Sequence, residues 1–339
     1  MVQRFITEAS AAVTNTVDVY KLCGLFSFEA ICQAAFAKDF SQDTNTQAAV
    51  KLLEAMEGSA PTLLFNNVFP WLKSCGLGLR LPGLVGDAYR KFDYWEQQSR
   101  LLVDHFLEKS ASNDQYLLSP LATGVDTFLG RRLNHEELVE EAMGYMFAGS
   151  GTTSSTLTYL LYAISLPGNE HIQERLRQEL KSLSTHNTAV LRQLPYLNAV
   201  IKETMRLFPT IVSTIPRVLL EPLNIDTYIL PKGTVVGMQN WLHHRDSRVF
   251  SQPEQFIPDR WLESSEDMEG ALTPFGIGRR NCIGQNLAWE ELYLAINEIM
   301  CADLQLSIGQ EMQAWEMEIE DRFNIAPRGH RLMLKIVKL

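Results

Sequence analysis

Apolar residues recur at the spacing of an α-helix through much of the chain. This periodicity predicts amphipathic helices over 87–109, 170–183, 197–207 and 285–302. Between 216 and 236, prolines and a glycine separate short β-branched runs, a pattern typical of strands and turns. A final strand is predicted over 331–336. The sequence therefore predicts a mainly α fold with a minor β part, organised as one domain over residues 1–339.

A long central helix is predicted from about 135 to 166. Asn134 and Glu137 have the spacing of an N-terminal capping box, and Pro167 and Gly168 follow the last apolar position. The uncharged stretch 142–169 within this region is long enough to span a membrane. Its middle is rich in Gly, Ser and Thr, however, which favours a helix buried inside protein.

Residues 61–86 concentrate large apolar side chains between prolines. The apolar residues are Leu63, Leu64, Phe65, Phe69, Trp71, Leu72, Leu77, Leu79 and Leu81, and the prolines are Pro61, Pro70 and Pro82. We interpret this segment as a loop packed on the core. The alternative is a surface segment that dips into a membrane interface, where Trp and Phe are favoured.

Composition narrows the class of protein. Among 339 residues, 46% are hydrophobic and 21% are charged, as in ordinary globular proteins. The net charge of −10 argues against nucleic-acid binding through a broad basic face. Charges recur at short intervals through residues 1–40, so no targeting signal is expected there. The 5 cysteines are scattered, which argues against a disulfide framework and a zinc site.

The strongest chemical signal is F-G-I-G-R-R-N-C-I-G over 275–284, just before a predicted helix. There, Cys282 would meet backbone N–H groups and the positive end of a helix dipole, which favour a thiolate and suit a metal ligand. Gly278 and Gly284 let the backbone approach a flat cofactor closely. Without further context, a buried structural cysteine is the alternative.

This segment resembles the haem-binding loop of the cytochrome P450 superfamily, F-x-x-G-x-R-x-C-x-G. The resemblance implies a cytochrome P450 fold and haem b (iron protoporphyrin IX), with Cys282 as the axial ligand of the haem iron. Arg280 supplies a cation for a haem propionate, and Arg217 resembles a second propionate partner. We expect Phe275 to shield the sulfur from water.

Further motifs follow in the order that this family has. Glu203 and Arg206 match its E-x-x-R helix, and Arg260 matches the arginine that joins this pair. The resemblance implies a structural network of two cations on one carboxylate, not a catalytic one. His243 and His244 lie in a stretch that also resembles the family, so we do not expect them to bind metal.

The sequence A-G-S-G-T-T over 148–153 resembles the family's oxygen-activation segment. The resemblance implies that Gly149 and Gly151 open a bend in the helix over the haem and that the Thr152 hydroxyl relays protons. Gly151 stands where the family usually has an acid, so water is a candidate proton donor. The alternative is a Ser/Thr-rich stretch that only bonds back to its own helix.

The resemblance also suggests residues that line a substrate pocket. These candidates are Tyr145, Ile211, Val212, Thr214 and Phe323.

The resemblance covers nearly all of this chain but only the later part of the family, so we expect an N-terminally incomplete P450. The family's earlier part carries a membrane anchor, a small sheet and a W-x-x-x-R helix that binds a propionate. Only Trp241 and Arg245 have that spacing here, at a different place in the order of motifs.

The implied function is that of a haem-thiolate monooxygenase, most like fungal members of secondary metabolism. It would insert one oxygen atom from O2 into an apolar organic substrate, with electrons from NADPH–cytochrome P450 reductase. A full-length form is expected at the cytosolic face of the endoplasmic reticulum membrane. The alternatives are a catalytically defective fragment, a haem-thiolate isomerase or dehydratase that needs no reductase, and a helical scaffold without haem.

Overall fold

The computed structural model describes residues 7, 16–40, 47–109, 114–181, 183 and 185–339. The helices are α1 (Val19–Phe36), α2 (Gln47–Gly58), α3 (Pro61–Val68), α4 (Trp71–Ser74), α5 (Gly83–Lys109), α6 (Ser119–Thr123), α7 (His135–Ser165), α8 (Glu170–Lys181), α9 (Thr188–Leu191), α10 (Pro195–Leu207), α11 (Asn240–His243), α12 (Glu266–Ala271) and α13 (Gln285–Cys301). The strands are β1 (Thr16–Asp18), β2 (Arg217–Val218), β3 (Leu223–Ile225), β4 (Tyr228–Leu230), β5 (Val235–Val236), β6 (Leu304–Ile308), β7 (Ile319–Arg322), β8 (Asn324–Pro327) and β9 (Met333–Lys338). Helices dominate, which confirms the predicted fold class.

The chain divides into two compact units, and the prediction of one domain stays a prediction. The first unit is Gly24–Gly151, and the second joins the described residues up to 23 to Thr152–Leu339. In the first unit, α2 and α3 pack along α5. Leu52 of α2 and Phe106 of α5 are buried there.

The second unit contains a three-stranded antiparallel sheet in the order β1-β9-β6. Val17 pairs with Leu334 and Leu306 pairs with Ile336. Helix α8 packs against both α10 and α13. Three two-stranded antiparallel sheets, β2–β5, β3–β4 and β7–β8, complete the minor β part among the described residues.

Helix α7 begins where the capping box predicted. The Glu137 N–H donates to Asn134 Oδ1 at 3.0 Å, and the Asn134 N–H donates to Glu137 Oε2 at 2.8 Å. The helix ends at Ser165, before Gly168 in the left-handed region at φ +93°. The uncharged stretch is therefore a helix whose later turns are buried in protein, as predicted.

Several element bounds differ from prediction, among them the start of α5 at Gly83 rather than 87 and the end of α13 at Cys301 rather than 302. Helix α8 ends at Lys181 rather than 183, and Leu183 beyond it is exposed. Helix α10 begins at Pro195, since the first helical position needs no N–H. Strand β9 starts two residues late because the Leu332 N–H donates to the Asp18 side chain instead of to a sheet partner.

The prediction of a packed loop over 61–86 was wrong. The segment forms α3, α4, a 3-10 turn at Gly78–Arg80 and the start of α5. Pro61 is compatible with helix because it occupies the first turn of α3. Leu72 is buried, but most of the large apolar side chains are exposed: Leu63, Leu64, Val68, Phe69, Trp71, Leu77 and Leu79. We call these exposed residues the apolar patch.

One helix within the described ranges, α1, is long and apolar enough to cross a membrane, judged by length and composition alone. Its mean hydropathy is 1.2, and 56% of it is buried inside the protein. It carries Lys21 and Glu29, two of the charges noted in the sequence.

Candidate haem-thiolate site

Cys282 lies in a tight loop immediately before α13. The Cys282 N–H donates to the Phe275 carbonyl at 2.8 Å. This hydrogen bond joins the two ends of the loop. Gly276 and Gly278 have φ of +69° and +76°, a region that favours glycine, so the turn depends on these two residues. Gly284 is the N-cap of α13. The sulfur therefore stands near the positive end of a helix dipole, with its side chain exposed.

Gly284 lies close to the sulfur. A Cβ at this position would lie 3.9 Å from Cys282 Sγ, in ordinary van der Waals contact. The loop also carries two exposed isoleucines, Ile277 at 73% and Ile283 at 92% exposed, of which Ile283 directly follows the cysteine. The loop thus presents apolar side chains as well as an accessible sulfur.

The Phe275 ring packs against Trp289 of α13, with centroids 6.3 Å apart, and Trp289 stacks on Tyr293 at 5.3 Å. The Tyr293 hydroxyl donates to Asn198 Oδ1 at 2.6 Å. This row of rings fixes the start of the loop to α13 and α10.

Arg217 and Arg280 are both exposed. Arg217 lies on β2, and its Nη1 donates to the Pro216 carbonyl at 3.0 Å. Among the described residues, neither arginine forms a salt bridge with a carboxylate. These features fit a flat apolar cofactor that carries carboxylates. The accessible sulfur can bind a metal, the apolar side chains can contact the flat surface, and the two arginines can bind the carboxylates.

The family model described as Cytochrome P450 matches residues 1–316. The chain belongs to the cytochrome P450 family. It is 33% identical to cytochrome P450 monooxygenase orf2 of Aspergillus niger, over 94% of this chain and 65% of that protein. It is also 33% identical to cytochrome P450 monooxygenase azaI of Aspergillus niger, over 94% of this chain and 72% of that protein.

The fold is that of cytochromes P450. A solved structure of cyanobacterial CYP120A1 with bound retinoic acid matches 100% of this chain and 72% of that chain, with a TM-score of 0.78 and 21% identity. The chain spans less than two thirds of the length of the first curated relatives that it matches.

Both carboxylate oxygens of Glu203 are occupied in the P450 core. Oε1 accepts from Arg206 Nη2 at 2.9 Å and from Arg260 Nε at 3.2 Å. Oε2 accepts from Arg206 Nε at 2.8 Å and from Trp261 Nε1 at 2.9 Å. The Ile257 N–H also donates to Oε1 at 2.8 Å. The structure thus brings together the three residues of the expected charge network and adds two neutral donors.

Helix α7 continues through residues 148–153, the segment that resembles the family's oxygen-activation segment. Gly149 allows close packing, because a Cβ there would lie 2.7 Å from Ile31 Cγ1. Gly151 and Thr152 are half-buried, and the Thr152 carbonyl accepts from Thr156 Oγ1 at 3.1 Å. The back-bonding alternative describes Ser150 in this segment, whose Oγ donates to the Met146 carbonyl at 2.7 Å, as well as Thr156.

The substrate-lining candidates lie in different settings. Tyr145 is half-buried, and burial together with the Glu141 charge raises its pKa. Ile211 and Val212 are half-buried, whereas Thr214 is exposed. Phe323 is exposed at the turn between β7 and β8, where its φ is +83°.

The segment that carries Ile211 is held by contacts within the second unit. The sequence did not predict these contacts. Thr156 of α7 and Thr210 share a hydroxyl hydrogen bond at 3.0 Å, and the Ile325 N–H donates to the Thr210 carbonyl at 2.8 Å. Ser155 Oγ donates to the Ile325 carbonyl at 2.6 Å. The Ser/Thr content of α7 was the only sequence signal for these contacts.

Trp241 and Arg245 pack on each other. The guanidinium carbon of Arg245 lies 3.4 Å from the centre of the Trp241 ring, and Arg245 Nε donates to Glu254 at 3.1 Å. Burial lowers the pKa of Arg245. This pair therefore has a packing role in the structure.

Proposed function

We propose that this P450 is a haem-thiolate monooxygenase that inserts one oxygen atom from O2 into an apolar organic substrate. The observation that carries the proposal is the accessible Cys282 thiol, held by a glycine-dependent loop at the N-terminus of α13. The named monooxygenases among its relatives support the same class of reaction.

The residues of this loop fit haem b. Cys282 would bind the iron as a thiolate, and the dipole of α13 would stabilise that charge. Arg217 and Arg280 would bind the two propionates, since guanidinium groups match carboxylates in shape and charge. When bound, the haem supplies oxygen activation, which a thiolate ligand favours.

Thr152 is our candidate for holding a proton or a water beside the oxygen. Its hydroxyl is both a donor and an acceptor. Gly151 before it offers no carboxyl group, so we propose water as the proton source. Gly149 and Gly151 have no side chain, so they would contribute space in the helix rather than a reacting group.

Ile211 and Val212 are our candidates for apolar contacts with the substrate, with Tyr145, Thr214 and Phe323 as further candidates. Electrons would come from NADPH–cytochrome P450 reductase. Similarity to Aspergillus niger monooxygenases supports a fungal type of enzyme, for which we propose a role in secondary metabolism.

The apolar patch supports contact with a membrane surface. Leu64 is 72% exposed and Trp71 is 50% exposed, and such side chains favour the interface between water and lipid. For a full-length form, we propose a location at the cytosolic face of the endoplasmic reticulum membrane.

Replacing Cys282 by Ala tests the proposed function. The wild type should bind haem, and its reduced carbon monoxide complex should show the red-shifted band of thiolate ligation, which Cys282→Ala should lose. Cys75→Ala is the matched control because Cys75 is the other exposed cysteine, and it should keep the band. A Cys282→Ala protein that retains the band would refute the assignment.

A further inference from the structure

Thr273 leads into the cysteine loop, and each of its polar groups has a partner on α11 or the residue after it. Its N–H donates to His244 Nε2 at 3.0 Å. Its carbonyl accepts from Asn240 Nδ2 at 3.3 Å, and its hydroxyl donates to Asn240 Oδ1 at 3.2 Å. The Gly276 N–H then donates to the Thr273 carbonyl at 3.0 Å. Thr273 is therefore the fixed point from which the loop to Cys282 is built.

The backbone of His244 is bound to the buried charge network. Its carbonyl accepts from Arg206 Nη1 at 3.0 Å, and Arg206 is paired with Glu203. The His244 residue is fully buried. One residue thus links the network of α10 to the start of the cysteine loop.

The hydrogen bond to Thr273 requires an unprotonated Nε2, so the ring proton lies on Nδ1 and the imidazole is neutral. Its surroundings favour this state. Burial, then the His243 and Arg206 charges, lower the pKa of His244 to about 4.

We propose that His244 is a positioning residue that fixes the Cys282 loop on the charge network behind it through the Thr273 N–H. Losing the imidazole acceptor would release the Thr273 end of the loop and broaden the range of positions that the thiolate takes. The consequence for haem rests on the proposed function, whereas the consequence for the loop does not.

Amide hydrogen exchange of the full chain without added haem tests the loop directly. In His244→Leu, exchange at Thr273 and Cys282 should speed up about tenfold, the value of one lost hydrogen bond, while exchange in α10 stays unchanged. In His244→Gln, a side-chain oxygen replaces Nε2 and should restore most of the protection. His243→Ala is the matched control and should resemble the wild type. Equal acceleration in α10 and the loop would show a merely structural role and overturn the proposal.

Haem titration separates this proposal from the proposed function. His244→Leu should bind haem about tenfold more weakly and show a smaller fraction of the thiolate band, with recovery in His244→Gln. If the wild type binds no haem but the exchange pattern holds, the proposed function fails and the positioning role stands. An unchanged loop and band in His244→Leu would overturn the positioning role.

The wild type provides a test that does not depend on how the variants fold. With histidine nitrogens labelled, His244 should show an unprotonated Nε2 and a protonated Nδ1 at neutral pH, with His243→Ala assisting assignment. A protonated Nε2 would contradict the proposed hydrogen bond.

Discussion

At the scale of single residues, the P450 core concentrates its charge on one carboxylate. Glu203 is fully buried, and its two cationic partners, Arg206 and Arg260, have side chains 0% and 6% exposed. A charge removed from water in this way is tolerated only with its full set of donors. The sequence motifs predicted the three charged residues of the network. The Trp261 and Ile257 donors could be identified only from the folded structure.

Arg260→Ala should destabilise the protein by about 3–5 kcal/mol, because it removes one cation from a buried carboxylate. Chemical denaturation measures this loss, and haem content should fall with it. Arg248→Ala is the control: Arg248 pairs with Asp246 but its side chain is 87% exposed, so the change should stay within about 0.5 kcal/mol. A stable, haem-loaded Arg260→Ala protein would contradict the structural role of Arg260.

His244 gives the unfolding free energy a dependence on pH. Its pKa is about 4 in the folded protein against 6.5 ordinarily, so the unfolded chain binds the proton first as the pH falls. The stabilising contribution is complete above about pH 6.5 and is lost progressively towards pH 4, by about 3 kcal/mol. Denaturation at several pH values should show the stability difference between wild type and His244→Gln shrinking over this window. If the stability difference between the two proteins did not change with pH, the lowered pKa of His244 would be contradicted.

At the scale of elements, α7 shows which features a sequence predicts and which it does not. The cap at Asn134 and the helix end near Gly168 were predicted because they depend on neighbours in sequence. The contact of Gly149 with Ile31 was not, since it joins residues far apart in the chain. The same limit explains the segment 61–86, where apolar content predicted packing but the structure exposes the side chains.

Gly149→Ala and Gly144→Ala should have opposite effects on stability, although both lie in α7. A Cβ at 149 would lie within 3.0 Å of the stiff, branched Ile31 side chain, so overpacking should cost about 1–3 kcal/mol and exceed the gain in helix propensity. Position 144 has no neighbour within 4 Å, so alanine there should stabilise by up to about 1 kcal/mol. Thermal unfolding of both variants measures the contrast.

The double variant with Ile31→Ala provides the control. Truncating Ile31 makes room for the new methyl group, so Gly149→Ala should cost less in that background. An equal cost in both backgrounds would show that the packing contact is not responsible.

At the scale of the whole molecule, a net charge of −10 coexists with an exposed apolar patch. Exposed apolar groups of this kind mark interaction surfaces in folded proteins. The segment 61–86, which carries the patch, contains only two charged residues, Lys73 and Arg80. Binding to lipid should therefore depend on apolar burial rather than on attraction to anionic headgroups.

The paired substitution Leu63→Ser with Leu64→Ser should weaken binding to neutral phosphatidylcholine vesicles at least tenfold, because each leucine contributes about 1.5–3 kcal/mol when fully buried. Co-sedimentation measures this, and the binding of the wild type should change little with salt. Leu220→Ser is the control, since Leu220 is exposed and lies outside the patch. Equal losses in the two variants would contradict a membrane role for the patch.

Three donors to Glu203 lie far from it in the chain, and we expect this separation to affect the order in which the protein folds. Ile257, Arg260 and Trp261 lie 54, 57 and 58 positions from Glu203 in the chain. Before that segment arrives, desolvating Glu203 would leave its carboxylate short of donors, so the helix containing it has to remain hydrated until a long loop has closed. We therefore expect the network to form late, after the folding transition state, and to slow unfolding rather than speed folding. On this expectation, the unfolding rate of the native protein depends on the donors of Glu203.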